Sequence, residues 1–402
     1  MQNSERQIIR ELAKQYMELA NSDEQLRANR RMQDSNDLKI VRPTVLIDEI
    51  PWHELVGDPD LVCLCEDPTA RRTEWFLRRS LYQKKHFRAD LLMPDHWKVR
   101  MAYEISPIGV EKQVTRSASG SKTFEDVLKD ESALDRIVDP SFTPRPDLDE
   151  KNMNFFTDLF HGIMPVRLVG SNCMYMQFWD DISELRGVEP IYEDMYDRPE
   201  YLHRIMQIFV NRASARMDFL EKHSHVDNDP INLHCTPGMV SGLAEDGLRA
   251  TWYRGMAQPF SCVSPAMFKE FEFDYIKPLA ERCAYTYYGC CEPLDNRIEI
   301  LKGIRNLRKV GVSPWANEEI CAEQLGRDYV FARKPNPANV AFRTDPEVIR
   351  KETENTVRLC QKYGCPVEFV LKDITTVSRN PENLIVWANT VSEVLDRYYE
   401  KA

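Results

Sequence analysis

The sequence predicts an α/β protein: a (β/α)8 TIM barrel with an N-terminal helical extension. Three observations lead there. After residue 150 six short apolar runs alternate with longer segments of helical periodicity, the pattern of strands crossed over by helices in a parallel sheet. No GxGxxG or P-loop motif follows any of these runs, which removes the usual signature of an open, doubly wound nucleotide-binding sheet. The 402 residues accommodate one barrel of roughly 250 residues and an extension.

The elements follow in chain order. Residues 1–42 read as helix, because Ile8, Ile9, Leu12, Tyr16 and Leu19 recur at helical spacing on an otherwise charged segment. Such a helix packs on its own domain or on a second copy in a homodimer. Residues 1–88 form the extension and 89–402 the barrel. Two apolar runs, near 44–48 (PTVLID) and 89–93 (ADLLMP), supply strands that bring the total to eight. The stretch 106–150 is rich in Ser, Asp, Pro and Lys and reads as an excursion or lid. The six runs are 164–170, 231–235, 284–290, 310–314, 329–333 and 367–372. Helical periodicity fills Pro199 to Lys222, Pro265 to Arg282, Glu318 to Leu325, Pro346 to Lys362 and Pro381 to Tyr399. Several of these open on a proline or an acidic first turn.

Composition narrows the function. Apolar residues make up 43% and charged residues 29%, which excludes wholesale disorder. The net charge of −11, without a basic block, argues against nucleic acid as the main partner. No run approaches the ~20 apolar residues of a membrane span. Met1 to Gln15 is polar, with no signal-peptide core, so a cytoplasmic location is expected. Eleven cysteines, odd in number and mostly scattered, read as reduced thiols, buried or metal-binding.

In a barrel, chemistry gathers at the C-terminal ends of the strands. The sharpest feature there is YYGCCEP, 287–293, where Cys290, Cys291 and Glu292 follow an apolar run. Thiolate, imidazole and carboxylate together suit zinc, with His234 as the nitrogen donor. Neighbouring residues at a strand end point to opposite sides, so either the chain turns at Cys290–Cys291 or only one of them binds metal. Cys235 reads as a buried thiol rather than a ligand. Asp373, with Lys372, closes the last strand, where it can act as a base, orient substrate or cap a helix. The run SNCMYMQFW, 171–179, sets Asn172 and Tyr175 at the rim, as core or as a substrate wall. Arg333 ends the 329–333 run. Arg71, Arg72, Arg78, Arg79, Lys84 and Lys85 form a basic cluster that reads as a solvated face with neighbouring acids.

From about residue 160 onward the chain resembles the uroporphyrinogen decarboxylase superfamily. The matching stretches are MPVRLVGS, SPAMFKEFEFDYIKPL (264–279), YYGCCEP, LGRDYVFARKPNPANV (325–340) and DITTVSRNPENLIVWANTV (373–391). The superfamily includes zinc-dependent corrinoid methyltransferases. The resemblance implies transfer of a methyl group between a small methylated compound and a corrinoid held by a separate partner protein, with zinc activating the substrate. His234, Cys290 and Cys291 would hold the metal. Asp373 and Glu292 would be catalytic, and Asn172, Tyr175, Lys372 and Arg333 would bind substrate. The chain departs from that branch in two places. Its HxC position reads Tyr288-Gly289-Cys290, and its last strand ends in Lys372-Asp373 rather than cysteine. A carboxylate-gripping Arg motif of the decarboxylase is not found in the N-terminal region. The alternatives are a decarboxylase or lyase of another carboxylated molecule, with Lys372 and Arg333 as its anion binders, and a non-catalytic small-molecule-binding barrel.

Overall fold

The computed structural model describes residues 1–116 and 122–399. The central strands are β1 (Thr44–Ile47), β2 (Trp97–Arg100), β3 (Val166–Val169), β4 (Cys173–Met176), β5 (Trp252–Gly255), β6 (Tyr285–Tyr288), β7 (Leu307–Val312), β8 (Val330–Arg333) and β9 (Val367–Leu371). Seven of them form one parallel sheet in the spatial order β1-β9-β8-β7-β6-β5-β4, while β2 and β3 pair separately. The sheet curls: Cys173 of β4 packs in the same apolar cluster as Ala332 of β8, four strands away. It does not close into a hydrogen-bonded barrel, so the architecture is mixed α/β with a half-barrel rather than eight joined strands.

Side-chain alternation sorts the two faces of this sheet. On β9, Val367, Phe369 and Leu371 join the large core beneath the helices, whereas Val370 packs against Leu46 and Cys235 on the concave side. Glu368 and Lys372 share that concave parity. On β8, Ala332 faces inward and Arg333 outward, where it pairs with Glu318 at 2.7 Å and Glu352 at 3.1 Å. The concave face is polar for a barrel. Arg254, Lys309, Lys334 and Glu368 are all buried there. Lys309 Nζ donates to Glu368 Oε2 and to Thr236 Oγ1, each at 2.9 Å.

Several sequence expectations need correction. The run 231–235 is a turn, closed by an antiparallel bridge between Asn232 and Pro237, with His234 and Cys235 at φ of +57° and +81°. The surrounding segment enters the interior. Thr236 meets Lys309, the Trp252 indole donates to Gly238 O at 2.9 Å, and Asn36 Nδ2 donates to Pro237 O at 3.0 Å. Only Leu233 and Cys235 of these five residues are buried, so the run's apolar residues mark local burial without strand geometry. Residues 89–93 carry no strand; β2 begins at Trp97. Two strands, β4 and β5, were not foreseen. β5 holds a glycine and an arginine, and β4 a cysteine and two methionines, so neither has the β-branched look of a buried strand. Residues 1–42 form two helices, Asn3–Ala20 and Asp23–Asn36, because Ser22 caps the second by accepting from the Gln25 N–H.

Within the excursion, Val114–Arg116 pairs antiparallel with Lys122–Phe124, and Phe142–Pro144 pairs with Tyr103–Ile105 just before it. Its residues 117–121 lie outside the described residues. Val110, Leu128, Ala133 and Leu134 enter the main core, and the Tyr201 hydroxyl donates to Leu128 O at 2.7 Å and Asp130 O at 2.9 Å. It is anchored over much of its length rather than hinged free. The basic cluster lies on the helix Pro68–His86, where Arg78, Lys84 and Lys85 pair with Glu74, Glu24 and Asp60.

The Lys309–Glu368 pair yields a stability prediction. Lys309→Met leaves a buried carboxylate without its cation and costs about 3–5 kcal/mol. Lys309→Met/Glu368→Met, which removes both charges, recovers most of that loss; urea denaturation of the two variants measures it.

Candidate active site

The C-terminal ends of β6 and β9 meet at the mouth of the curled sheet. After β6 the chain bends at Gly289, whose φ is +99° and where a Cβ would lie 2.4 Å from the Leu294 side chain. That bend presents Cys290 and Cys291 in succession. Their sulfurs are 3.5 Å apart. From β9, Lys372 Nζ lies 3.1 Å from Cys290 Sγ, 3.3 Å from Cys291 Sγ and 2.8 Å from Asp373 Oδ1. The Cys291 thiol donates to Asp373 Oδ2 at 2.8 Å. From the inserted turn, His234 Nε2 lies 3.6 Å from Cys290 Sγ, and the Tyr175 ring meets the imidazole edge-on, 5.6 Å between centroids. Glu49, just past β1, accepts the Asp373 N–H at 2.8 Å. One donor atom from each of Glu49, His234 and Cys235 lies within 4.8 Å of the others.

Charge is distributed unequally between the two thiols. Hydrogen bonding from Cys291 and His234 pulls the Cys290 thiol far below its ordinary range, and the Arg254 and Lys372 charges add to this. Cys291 moves the other way, because the neighbouring Cys290 sulfur and burial both disfavour a second anion there, and Asp373 adds to this. Cys290 is the more acidic thiol of the pair. Burial works against the Lys372 ammonium, yet the neighbouring thiols and Asp373 keep it firmly charged. Burial raises Glu49, with Lys372 opposing.

Of the residues singled out from sequence, the fold gathers His234, Cys290, Cys291, Lys372 and Asp373 at one mouth, with Tyr175 against the imidazole. The others lie elsewhere. Glu292 is buried and spends its carboxylate on the backbone, accepting from Cys290 N at 2.9 Å and Ala257 N at 3.2 Å. It shapes the bend that carries the thiols. Arg333 faces the helices, as its parity on β8 requires. Asn172 precedes β4 rather than ending a strand, and its amide donates to Asp229 O at 2.6 Å. Cys235 is buried against Leu46 and Val370, and burial pushes its thiol up.

Three participants were not anticipated. Glu49 was legible, since PTVLIDE ends a strand and the rim rule applies to it. Arg254, whose guanidinium lies 4.1 Å from the Tyr287 ring centroid, sits on an unforeseen strand. Asp180, two residues into a helix, accepts from Gln258 N at 3.2 Å, and burial pushes it up to about 7, with Glu292 and Cys290 reinforcing the shift.

No protein-family model matches the chain, and no curated protein matches it. Among solved structures it is similar to a methyltransferase from Methanosarcina mazei. The identity is 10%, the match covers 92% of this chain and 99% of that one, and the TM-score is 0.48. A likeness of that size assigns neither family nor activity.

The Asp180 environment predicts a pH effect. Its folded pKa of about 7 lies above the unfolded value near 3.8, so between these limits the folded chain holds the extra proton and stability falls as pH rises. Asp180→Asn removes that loss. The variant is expected to be more stable than the parent at pH 8 by about 1–2 kcal/mol, a figure discounted for partial solvation. The difference shrinks towards pH 4, and urea midpoints across this range measure it.

Proposed function

We propose that this chain is a methyltransferase of the uroporphyrinogen decarboxylase superfamily, moving a methyl group between a small methylated compound and a corrinoid carried by a separate protein. The observation that carries the reading is the Cys290 sulfur, held at the mouth of the curled sheet 3.6 Å from His234 Nε2, 3.5 Å from Cys291 Sγ and 3.1 Å from Lys372 Nζ. A sulfur so placed is a soft donor suited to a soft metal or to one-carbon chemistry. The sequence blocks from 264 to 391 support the same superfamily.

The donor chemistry fits zinc. A tetrahedral zinc with thiolate and imidazole ligands sets sulfur and nitrogen about 3.6 Å apart, and Cys290 Sγ and His234 Nε2 stand 3.6 Å apart. Cys290 and His234 would hold the ion, with Cys291 or Glu49 drawn in to complete the set, since the three donors already within 4.8 Å of one another among the described residues are those of Glu49, His234 and Cys235. When bound, zinc supplies Lewis acidity that polarises the substrate or lowers a thiol pKa. The chain's own groups do the rest. Lys372 balances the thiolate charge, Asp373 holds the Cys291 proton at Oδ2, and Tyr175 fixes the imidazole plane. Glu292 sets the bend without reaching the substrate.

A second, metal-free reading rests on Lys372. Its ammonium touches both sulfurs and supplies the counter-charge that an ion would otherwise bring. The decarboxylase alternative has less support: Arg333 is directed to Glu318 and Glu352, and Lys372 is occupied by two thiols and Asp373.

The test is metal content together with transfer. Protein purified without chelator should carry about one zinc per chain, and Cys290→Ala and His234→Ala should each lose it. Methyl transfer to cob(I)alamin, followed by its absorbance with a panel of methylated alcohols, amines, ethers and thioethers, should fall at least a hundredfold in Cys290→Ala. Transfer without zinc selects the Lys372 reading. No transfer from any donor, with zinc present or absent, overturns the methyltransferase.

A further inference from the structure

Beside the thiolate cluster, where the curled sheet fails to close, a cavity of about 320 Å³ opens between the β2–β3 pair, β4 and the inserted turn. It is near the lower end of the range for small-molecule sites, roughly 300–1,000 Å³. Tyr175 and His234 form one wall, so the imidazole that meets Cys290 also borders this space. The opposite wall carries Lys98, Arg100 and Arg216. Lys98 is neutralised by Asp229 at 2.7 Å. Among the described residues Arg100 and Arg216 have no carboxylate partner; Arg216 Nε only donates to the Tyr103 hydroxyl at 2.9 Å.

Two buried polar groups in the same lining are unsatisfied. His225 is 7% exposed. Its Nδ1 bonds His223 O at 2.9 Å, which leaves Nε2 with no partner among the described residues. Asn172 is 1% exposed and its Oδ1 is likewise unpaired. Orphaned buried polar atoms are costly, but each of these has less than 1 Å² of accessible surface and lies behind the lining, so recognition of a ligand falls to the two arginines. The sign of the charge matters too. A protein with net charge −11 concentrates two unpaired guanidiniums in one concavity whose single lining carboxylate is already matched. Guanidinium forks suit the planar, bidentate geometry of carboxylate or the tetrahedral oxygens of phosphate.

We propose that this cavity is the substrate pocket and that it selects a small anionic molecule, its anionic end held by Arg100 and Arg216 and its other end delivered to His234 and Cys290. This rests on the proposed one-carbon chemistry for the identity of the reacting end, but not for the anion site itself. Tyr103 and Tyr175 supply flat walls, so a carboxylate on a small ring is the favoured form and free phosphate the competing one.

Binding separates these ideas from catalysis. Calorimetric titration of the full chain with benzoate, with its neutral isostere benzamide and with inorganic phosphate is the experiment. Benzoate should bind at least tenfold tighter than benzamide. Arg216→Met and Arg100→Met should each weaken benzoate by about tenfold while leaving benzamide and zinc content unchanged. Arg100 is exposed, so its replacement leaves the core untouched. Phosphate binding as tightly as benzoate, with the same sensitivity to both arginines, would confirm the anion site and reassign the favoured anion. Equal affinity for benzoate and benzamide, or benzoate binding indifferent to both substitutions, overturns the inference whatever the transfer assay gives. Anion binding with no methyl transfer from any donor would leave the pocket standing and remove the proposed reaction.

Discussion

Charge buried inside the curled sheet is the constraint on which the rest depends. Arg254, Lys309, Lys334 and Lys372 all point to the concave side, and none is appreciably exposed. Isolated cations cannot be buried at tolerable cost. Each must meet an anion, a carbonyl or an aromatic face, and the fold provides these in layers. Low in the sheet, Lys309 meets Glu368. In the middle, Arg254 donates to Leu233 O and stacks on Tyr287. At the mouth, Lys372 meets the sulfurs. The acidity of the Cys290 thiol is thus one part of an electrostatic balance that begins deep in the curled sheet.

The inserted turn completes that balance. A sheet of seven strands leaves a gap where an eighth would lie, and the segment from Asp229 to Ser241 enters there. Its carbonyls and Thr236 satisfy the interior cations, and its two left-handed residues lift His234 to the thiolate. Backbone strain at His234 and Cys235 persists because the surrounding contacts overdetermine it, as at many functional sites. The same gap creates the cavity, so open sheet, reactive cluster and arginine-lined pocket have one origin.

Much of the fold was legible in the sequence. Strands β6 to β9 and the helices Pro199–Lys222 and Glu318–Leu325 fall where periodicity and proline starts put them, because parallel strands buried on both faces leave continuous apolar runs. The failures have physical causes. β4 and β5 present polar or sulfur-bearing side chains to a polar interior, so hydropathy does not reveal them. The INLHC run owes its apolar look to Ile231, Leu233 and Cys235, of which Leu233 and Cys235 are buried, and its turn is set by contacts with Asn36, Trp252 and Lys309, distant in sequence.

The sequence by itself determined the alternation of strands and helices, the strand ends that carry Cys290, Cys291, Lys372 and Asp373, and the acidic overall charge. These are local or compositional properties. Only the tertiary structure decided which thiol is the more acidic, that Arg333 and Glu292 serve the scaffold, that Glu49 joins the mouth, and that Arg100, Arg216 and His225 share a cavity. Those outcomes depend on strand parity, on sheet curvature and on which charges burial brings within a few ångströms.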